Sequence, residues 1–240
     1  MKKFTLRSVC VFAFGFVLMG CEKDNDSATP FAANDTKNFG TSPTSCEIIE
    51  FDGYNDIVTG GGAVTTVYSE GTPVRISAQL RSARGNNIDT ERGVYLNNNA
   101  AVLYNTSQPD NRNKNYRTPN NNAIRPMGNV LTVGRQQGNS TAIYNKGSRL
   151  EMDFSEMGTI TLNGIHVLDI EQNEADSKLD LIDKNGKIIK TFNLPVTGAY
   201  GATRLNTEET PGVAKIRVTF GGEGTSNGSG AIDVIEFCRD

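Results

Sequence analysis

Tryptophan is absent and histidine occurs once, at His166, in a chain of 240 residues. A single histidine excludes multi-histidine metal centres and leaves few side chains able to act as neutral-pH bases. No apolar run reaches the ~20 residues a membrane-spanning helix needs. Positive charge is in deficit, with 24 Lys+Arg against 27 Asp+Glu and a formal charge of −3. That balance lacks the basic footprint of a nucleic-acid binder. Nucleophile-elbow, P-loop and zinc-ligand spacings are also missing. What is present is ordinary for a folded domain: 37% hydrophobic and 21% charged residues, a composition that buries a core rather than staying disordered. The length suits one domain with attachments.

The N-terminus carries the sharpest signal. Lys2, Lys3 and Arg7 precede an apolar run from Ser8 to Gly20, the build of a secretory signal. The run closes on Leu18-Met19-Gly20-Cys21, which resembles the bacterial lipobox, where the cysteine becomes acylated and N-terminal after cleavage. The plain alternative is an ordinary signal peptide with an incidental cysteine. Each buried CH₂ of an acyl chain contributes about 0.8 kcal/mol, so a multiply acylated Cys21 anchors durably to a membrane. Loss of residues 1–20 removes three cations and no anions, leaving 21 Lys+Arg against 27 Asp+Glu and a formal charge of −6. The acidic stretch Glu22-Lys23-Asp24-Asn25-Asp26 resembles the signals that send some Gram-negative lipoproteins to the cell surface. The expected location is therefore the outer membrane, lipid-anchored and surface-exposed, with the inner leaflet as the alternative. Residues 21–45 are expected to be the lipidated cysteine and an aperiodic tether, rich in Asp, Asn, Ser, Thr and Pro. Residues 46–240 are expected to be the folded domain.

Of the four cysteines, Cys10 leaves with the signal and Cys21 is assigned to lipid. Cys46 and Cys238 remain at opposite ends of the domain. Disulfides persist in exported proteins, and a Cys46–Cys238 bond is expected if the first and last strands are neighbours. The alternative is two buried thiols.

From Cys46 onward, short β-branched runs alternate with period two between Gly, Asn and Pro punctuation. They include Glu47–Asp52, Ala63–Ser69, Val74–Leu80, Ala100–Thr106, Asn129–Val133, Arg149–Phe154, Thr159–Glu171, Ala214–Phe220 and Ala231–Cys238. Lys178–Leu194 reads as a hairpin turning on Asn185-Gly186. No amphipathic helix longer than two turns is evident. About ten strands predict an all-β fold, an antiparallel β-sandwich.

The stretch from Ala100 through Leu131, Arg149–Ser155, Leu168–Glu171, the Asn185-Gly186 hairpin and Gly230–Phe237 are together similar to a group of anchor-displayed exported bacterial domains. The resemblance covers roughly residues 46–238 and implies a jelly-roll, galactose-binding-like sandwich whose relatives bind glycans or calcium. In such sandwiches a structural Ca²⁺ bridges the first and last strands, which implies Glu50, Asp52, Asp233 and Glu236 as metal candidates here. A Cys46–Cys238 bond brings Asp233 opposite positions 50–52. Solvated carboxylates are the alternative. Many similar domains carry acids where this chain has Asn105 and Asn113-Lys114-Asn115, a departure that argues against metal in that loop.

Residues 105–127 form a long aperiodic loop. Its Arg112, Tyr116, Arg117, Asn120 and Arg125 suit sugar hydroxyls and a sugar face, and Tyr200 between glycines is a second candidate stacking ring. The alternative is a crossover with no ligand. The Gly-rich run Gly221–Gly230 reads as a hairpin loop. His166 reads as structural. Paired carboxylates such as Asp169 and Glu171, expected on one strand face, offer a glycosidase reading, with ordinary solvated sheet acids as the alternative. The function expected is a non-catalytic cell-envelope lipoprotein that binds glycans or adheres, with membrane contact through its anchor and no nucleic-acid partner. A structural envelope protein contacting protein partners and a polysaccharide hydrolase are the alternatives.

Overall fold

A computed structural model of the chain describes residues 45–81, 95–96, 100–107, 127–137, 140–174, 176–198, 201–221 and 228–240. The chain divides into a unit of residues 1–40 and a second of residues 41–240, and everything below concerns the second. The signal, Cys21 and most of the tether lie outside the described residues.

Fifteen strands are described: β1 (Cys46–Ile49), β2 (Ile57–Gly60), β3 (Ala63–Ser69), β4 (Thr72–Arg81), β5 (Tyr95–Leu96), β6 (Ala101–Asn105), β7 (Asn129–Gln137), β8 (Ser140–Ile143), β9 (Ser148–Asp153), β10 (Ile160–Leu168), β11 (Lys178–Ile182), β12 (Ile188–Asn193), β13 (Ala202–Val213), β14 (Lys215–Phe220) and β15 (Ala231–Arg239). They form two antiparallel sheets. One runs β13-β10-β15-β7-β6, with β1 also on β15 and β8 on β7; the other runs β12-β11-β14-β9-β4-β3-β2, with β5 on β4. The only helices among the described residues are three-residue 3₁₀ turns. The protein is an antiparallel β-sandwich, as the alternation predicts.

Alternation builds the core. Leu150 and Met152 of β9, Ile216 and Val218 of β14, and Ile165 and Val167 of β10 all face the space between the sheets and are fully buried. Phe154 and Phe237 meet edge-on across it, ring centres 5.3 Å apart, a geometry that adds about 0.5–1.5 kcal/mol beyond area burial. A second, smaller cluster lies on the opposite face of the first sheet, built from Tyr104, Val130, Leu168 and Ala231, with Met127, Ile143 and Ala202 packed against it. Pleating explains it: Ala101 and Leu131 point into the main core, so Tyr104 and Val130 point away.

The disulfide forms as expected, joining Cys46 to Cys238 across a separation of 192 residues. The two cysteines are register partners in the β1–β15 ladder, which continues to Ile49 opposite Ile235.

Four features differ from the sequence reading. The first strand stops at Ile49, and residues 51–54 turn. β10 ends at Leu168, because Asp169 takes φ 57° and leaves the ladder; Asp169 and Glu171 therefore do not share a strand face. β13 was not legible, since its polar ATRLNTEETPGV run holds Pro211 and Gly212. It is tolerated as a sheet edge strand, where proline costs no ladder partner. Finally, Gly221–Gly230 is not a hairpin loop, because β14 and β15 belong to different sheets. The segment crosses the sandwich, and its residues 222–227 lie outside the described residues. The β11–β12 hairpin is present, but Asn185 keeps a negative φ while Gly186 takes +79°. The Asp183 carboxylate closes the turn by accepting from the amides of Asn185 and Lys187, at 2.8 and 2.9 Å.

Candidate functional site

β15 makes the site. Along one edge its first residues pair with β7, Ile232 opposite Leu131, and residues 235–238 pair with β1. Where the partner changes, Val234 takes φ 45°, and the β10 register slips between Ile165 and His166. This is a β-bulge, which bends a strand and re-aims its side chains. Asp233 sits at the bulge, 3% exposed.

The Asp233 carboxyl accepts backbone hydrogen bonds from Val234 and Phe51, but its Oδ1 is buried with no partner. Burial pushes its pKa up to about 7, and the neighbouring Asp52 and Glu50 carboxylates push the same way against those two hydrogen bonds. Asp52 is fixed by the first residue of β7, its Oδ1 accepting from the amide of Asn129, while the Asn129 side chain donates to the Phe51 carbonyl at 3.2 Å. Gly128, at φ +64°, is required here. A Cβ on it would fall 1.9 Å from Asp52 Oδ1.

Of the four sequence-predicted metal candidates, Asp52 and Glu50 lie near enough to Asp233 for their charges to act on it. Glu236 does not join them: it takes both oxygens to Arg204 Nε, at 3.0 and 3.1 Å. The hydrogen bonds from Arg204, and then its charge, hold the Glu236 carboxyl below its ordinary range against partial burial. His166 lies between, opposite Arg204 on one side and Asp233 on the other. Burial pushes its pKa down, with Glu236 opposing and Arg204 reinforcing the shift.

The donor chemistry fits a hard cation such as Ca²⁺, which takes six to eight oxygens from carboxylates and carbonyls, and the orphaned Asp233 Oδ1 is an atom such an ion would satisfy. Among the described residues, however, no three His, Cys, Asp or Glu side chains already stand in the arrangement of a metal site. The cluster would need to draw together around an ion.

The glycan candidates Arg112, Tyr116, Arg117, Asn120, Arg125 and Tyr200 lie outside the described residues. Their flanks are described. Thr106 and Gly128 close the base of the long loop, amide to carbonyl at 2.7 Å and hydroxyl to the same carbonyl at 2.9 Å. Met127 at the end of that loop and Ala202, two residues past Tyr200, pack against the same outer cluster. Asp169, the first member of the acid pair, is 1% exposed and its amide is bonded to the Gly201 carbonyl at 2.9 Å, so it is no reactive surface acid.

Sequence reasoning passed over the Glu47–Arg239 pair. Glu47 is buried on β1 and accepts from Arg239 and the Ser69 hydroxyl, tying the last strand of one sheet to the β3–β4 turn of the other. Arg239 lies 192 residues away, and only the β1–β15 register announces the meeting.

No protein-family model matches the chain, and no curated protein does. Comparison with solved structures finds remote similarities. A fucose-binding module of Streptococcus pneumoniae is 14% identical, with TM-score 0.35, over 72% of this chain and 99% of that one. A carbohydrate-binding module solved with β-1,4-galactotriose is 12% identical, with TM-score 0.34, over 70% and 89%. A module from a family 31 glycoside hydrolase of Clostridium perfringens is 14% identical, with TM-score 0.29, over 58% and 91%.

Proposed function

We propose that the protein is a non-catalytic, lipid-anchored cell-envelope module that binds glycans. The observation that carries this reading is the outer cluster. It seats Met127 and Ala202, the described residues nearest in sequence to the amide, guanidinium and phenol groups of residues 105–125 and to Tyr200. Rigid β elements carrying variable loops are a common way to present a binding surface. The acyl chains on Cys21 would hold the domain in the outer membrane, with residues 22–45 as the spacer.

Calcium belongs to the same reading. Glu50, Asp52 and Asp233 would hold it, with nearby carbonyls, at the point where Asp52 grips Asn129. The ion would supply charge neutralisation and brace the base of the 105–127 loop. Asp233's unpartnered oxygen is what favours it.

A glycan array tests the function. Binding is expected, with a loss of about tenfold or more on Tyr116→Ala or Arg117→Ala, because each bond to a charged group or stacked ring contributes about 1–3 kcal/mol. Full binding after deletion of residues 108–126 would remove the loop from the site. Globomycin-sensitive processing and a mass increase at Cys21 test the anchor.

A further inference from the structure

The one disulfide among the described residues has two unlike ends. Cys46 is exposed, whereas Cys238 is buried at 8%. Cys46 opens β1, and β1 pairs with β15 alone. The ladder therefore ends at Cys46, which lines an open hollow. Cys238 is enclosed on its other side. There β15 pairs with β10, where Thr161 is the register partner of Cys238. From the same strand the Asn163 side chain donates through Nδ2 to Cys238 Sγ at 3.2 Å.

Thiol–disulfide exchange is attack by a thiolate on one sulfur while the other leaves as a thiolate. Its course depends on which sulfur can be reached and on how well the departing one carries charge. Both conditions point the same way here. The approach to Cys46 Sγ from opposite Cys238 passes the free edge of β1. The approach to Cys238 Sγ from opposite Cys46 meets β10. A departing Cys238 thiolate keeps the Asn163 donor, and a hydrogen bond to a charged acceptor is roughly twice as strong as one to a neutral acceptor.

We infer that Cys46 is a site of reversible S-thiolation by small thiols, with Cys238 as the resolving thiol. In the forward step the thiolate forms a bond to Cys46 Sγ as the Sγ–Sγ bond breaks. The electron pair stays on Cys238 Sγ, which then takes a proton from water. One disulfide replaces another, so no oxidant is consumed. Attack by Cys238 on the mixed disulfide expels the small thiol and restores the bond. β1 is held beside β15 meanwhile by Glu47, which accepts from the Arg239 side chain. The Arg239 amide also donates to the Ser45 carbonyl at 3.0 Å, so the resolving thiol stays within reach. This chemistry does not depend on glycan binding.

The test treats the purified full chain, in detergent and without denaturant, briefly with 2-mercaptoethanol at pH 8. Excess N-ethylmaleimide then traps free thiols, and peptide masses locate both labels. The mercaptoethanol should sit on Cys46 and the maleimide on Cys238, in about tenfold or greater excess over the reverse arrangement. Asn163→Ala should slow opening by about three- to tenfold. In the reduced protein it should also raise the pKa of Cys238, read from the pH dependence of alkylation, and leave that of Cys46 in place. An adduct on Cys238, an even split, or opening only at the rate of global unfolding overturns the inference. A Cys238 pKa untouched by Asn163→Ala overturns it too. Should that variant fail to fold, the wild-type adduct map decides alone.

Discussion

Two buried acids on one pair of strands make opposite bargains. Glu47 on β1 and Asp233 on β15 are both nearly inaccessible, at 8% and 3% exposure. Glu47 meets a guanidinium and a hydroxyl. Burial alone would raise its pKa, but the Arg239 and Ser69 hydrogen bonds hold it below the ordinary range. Asp233 meets only two backbone amides and two other carboxylates, and is raised to about 7. The difference lies in what the opposing strand brings. Beside Glu47 the sandwich closes with a cation and a disulfide; beside Asp233 the ladder changes partner and leaves an oxygen unanswered. Buried polar groups in folded proteins are normally satisfied, so the closed end is architecture and the open one is where we propose that the ion binds.

The largest expected effect tests the closed end. Cys46→Ser or Cys238→Ser should lower unfolding free energy by about 4–5 kcal/mol in urea titrations, since the bond restricts a loop of nearly the whole domain in the unfolded chain. A loss under about 1 kcal/mol would mean that the β1–β15 ladder and Glu47–Arg239 suffice to join the ends.

Asp233 should behave in the contrary sense. Its folded pKa lies above the unfolded one, so its contribution is present at pH 4 and below and is lost as pH rises through about 7. Without calcium, stability should therefore fall by about 2–4 kcal/mol across that window relative to Asp233→Asn, which should flatten the curve. Millimolar Ca²⁺ should raise the melting temperature at pH 8 in the wild type and not in Asp233→Asn. A flat wild-type profile with no calcium response would make Asp233 another satisfied acid and erase the comparison.

Glu47 gives the smallest effect and the opposite slope. Its folded pKa is lowered, so its contribution is present above the ordinary carboxylate range and fades as pH falls through its folded value. Glu47→Gln should cost about 1–2 kcal/mol at pH 7, because Arg239 is part-exposed and solvent screens the pair. It should cost little at pH 3, where denaturation curves of the two proteins should converge.

Much of this was legible in residues alone. Strands such as Arg149–Phe154 and Ala214–Phe220 announce themselves by alternation, because each buries one face. The pairing of Cys46 with Cys238 followed from their positions, and with it the approach of Asp233 to Glu50 and Asp52. Other parts were invisible for physical reasons. β13 carries polar residues and a proline because it is an edge strand, so its sequence has no buried face to advertise. Gly221–Gly230 resembles a hairpin loop since local composition cannot say whether the next strand joins the same sheet. Glu236 looked as available as Asp233 until Arg204, 32 residues earlier in the chain, occupied it.

The sequence by itself determined the β-sandwich and the joining of its first and last strands, because side-chain period and covalent position are local facts that survive any packing. Only the tertiary structure decided which of its buried acids is answered. That depends on a guanidinium, a hydroxyl or a strand crossing brought from far along the chain, and charge compensation is a property of the assembled interior rather than of any segment.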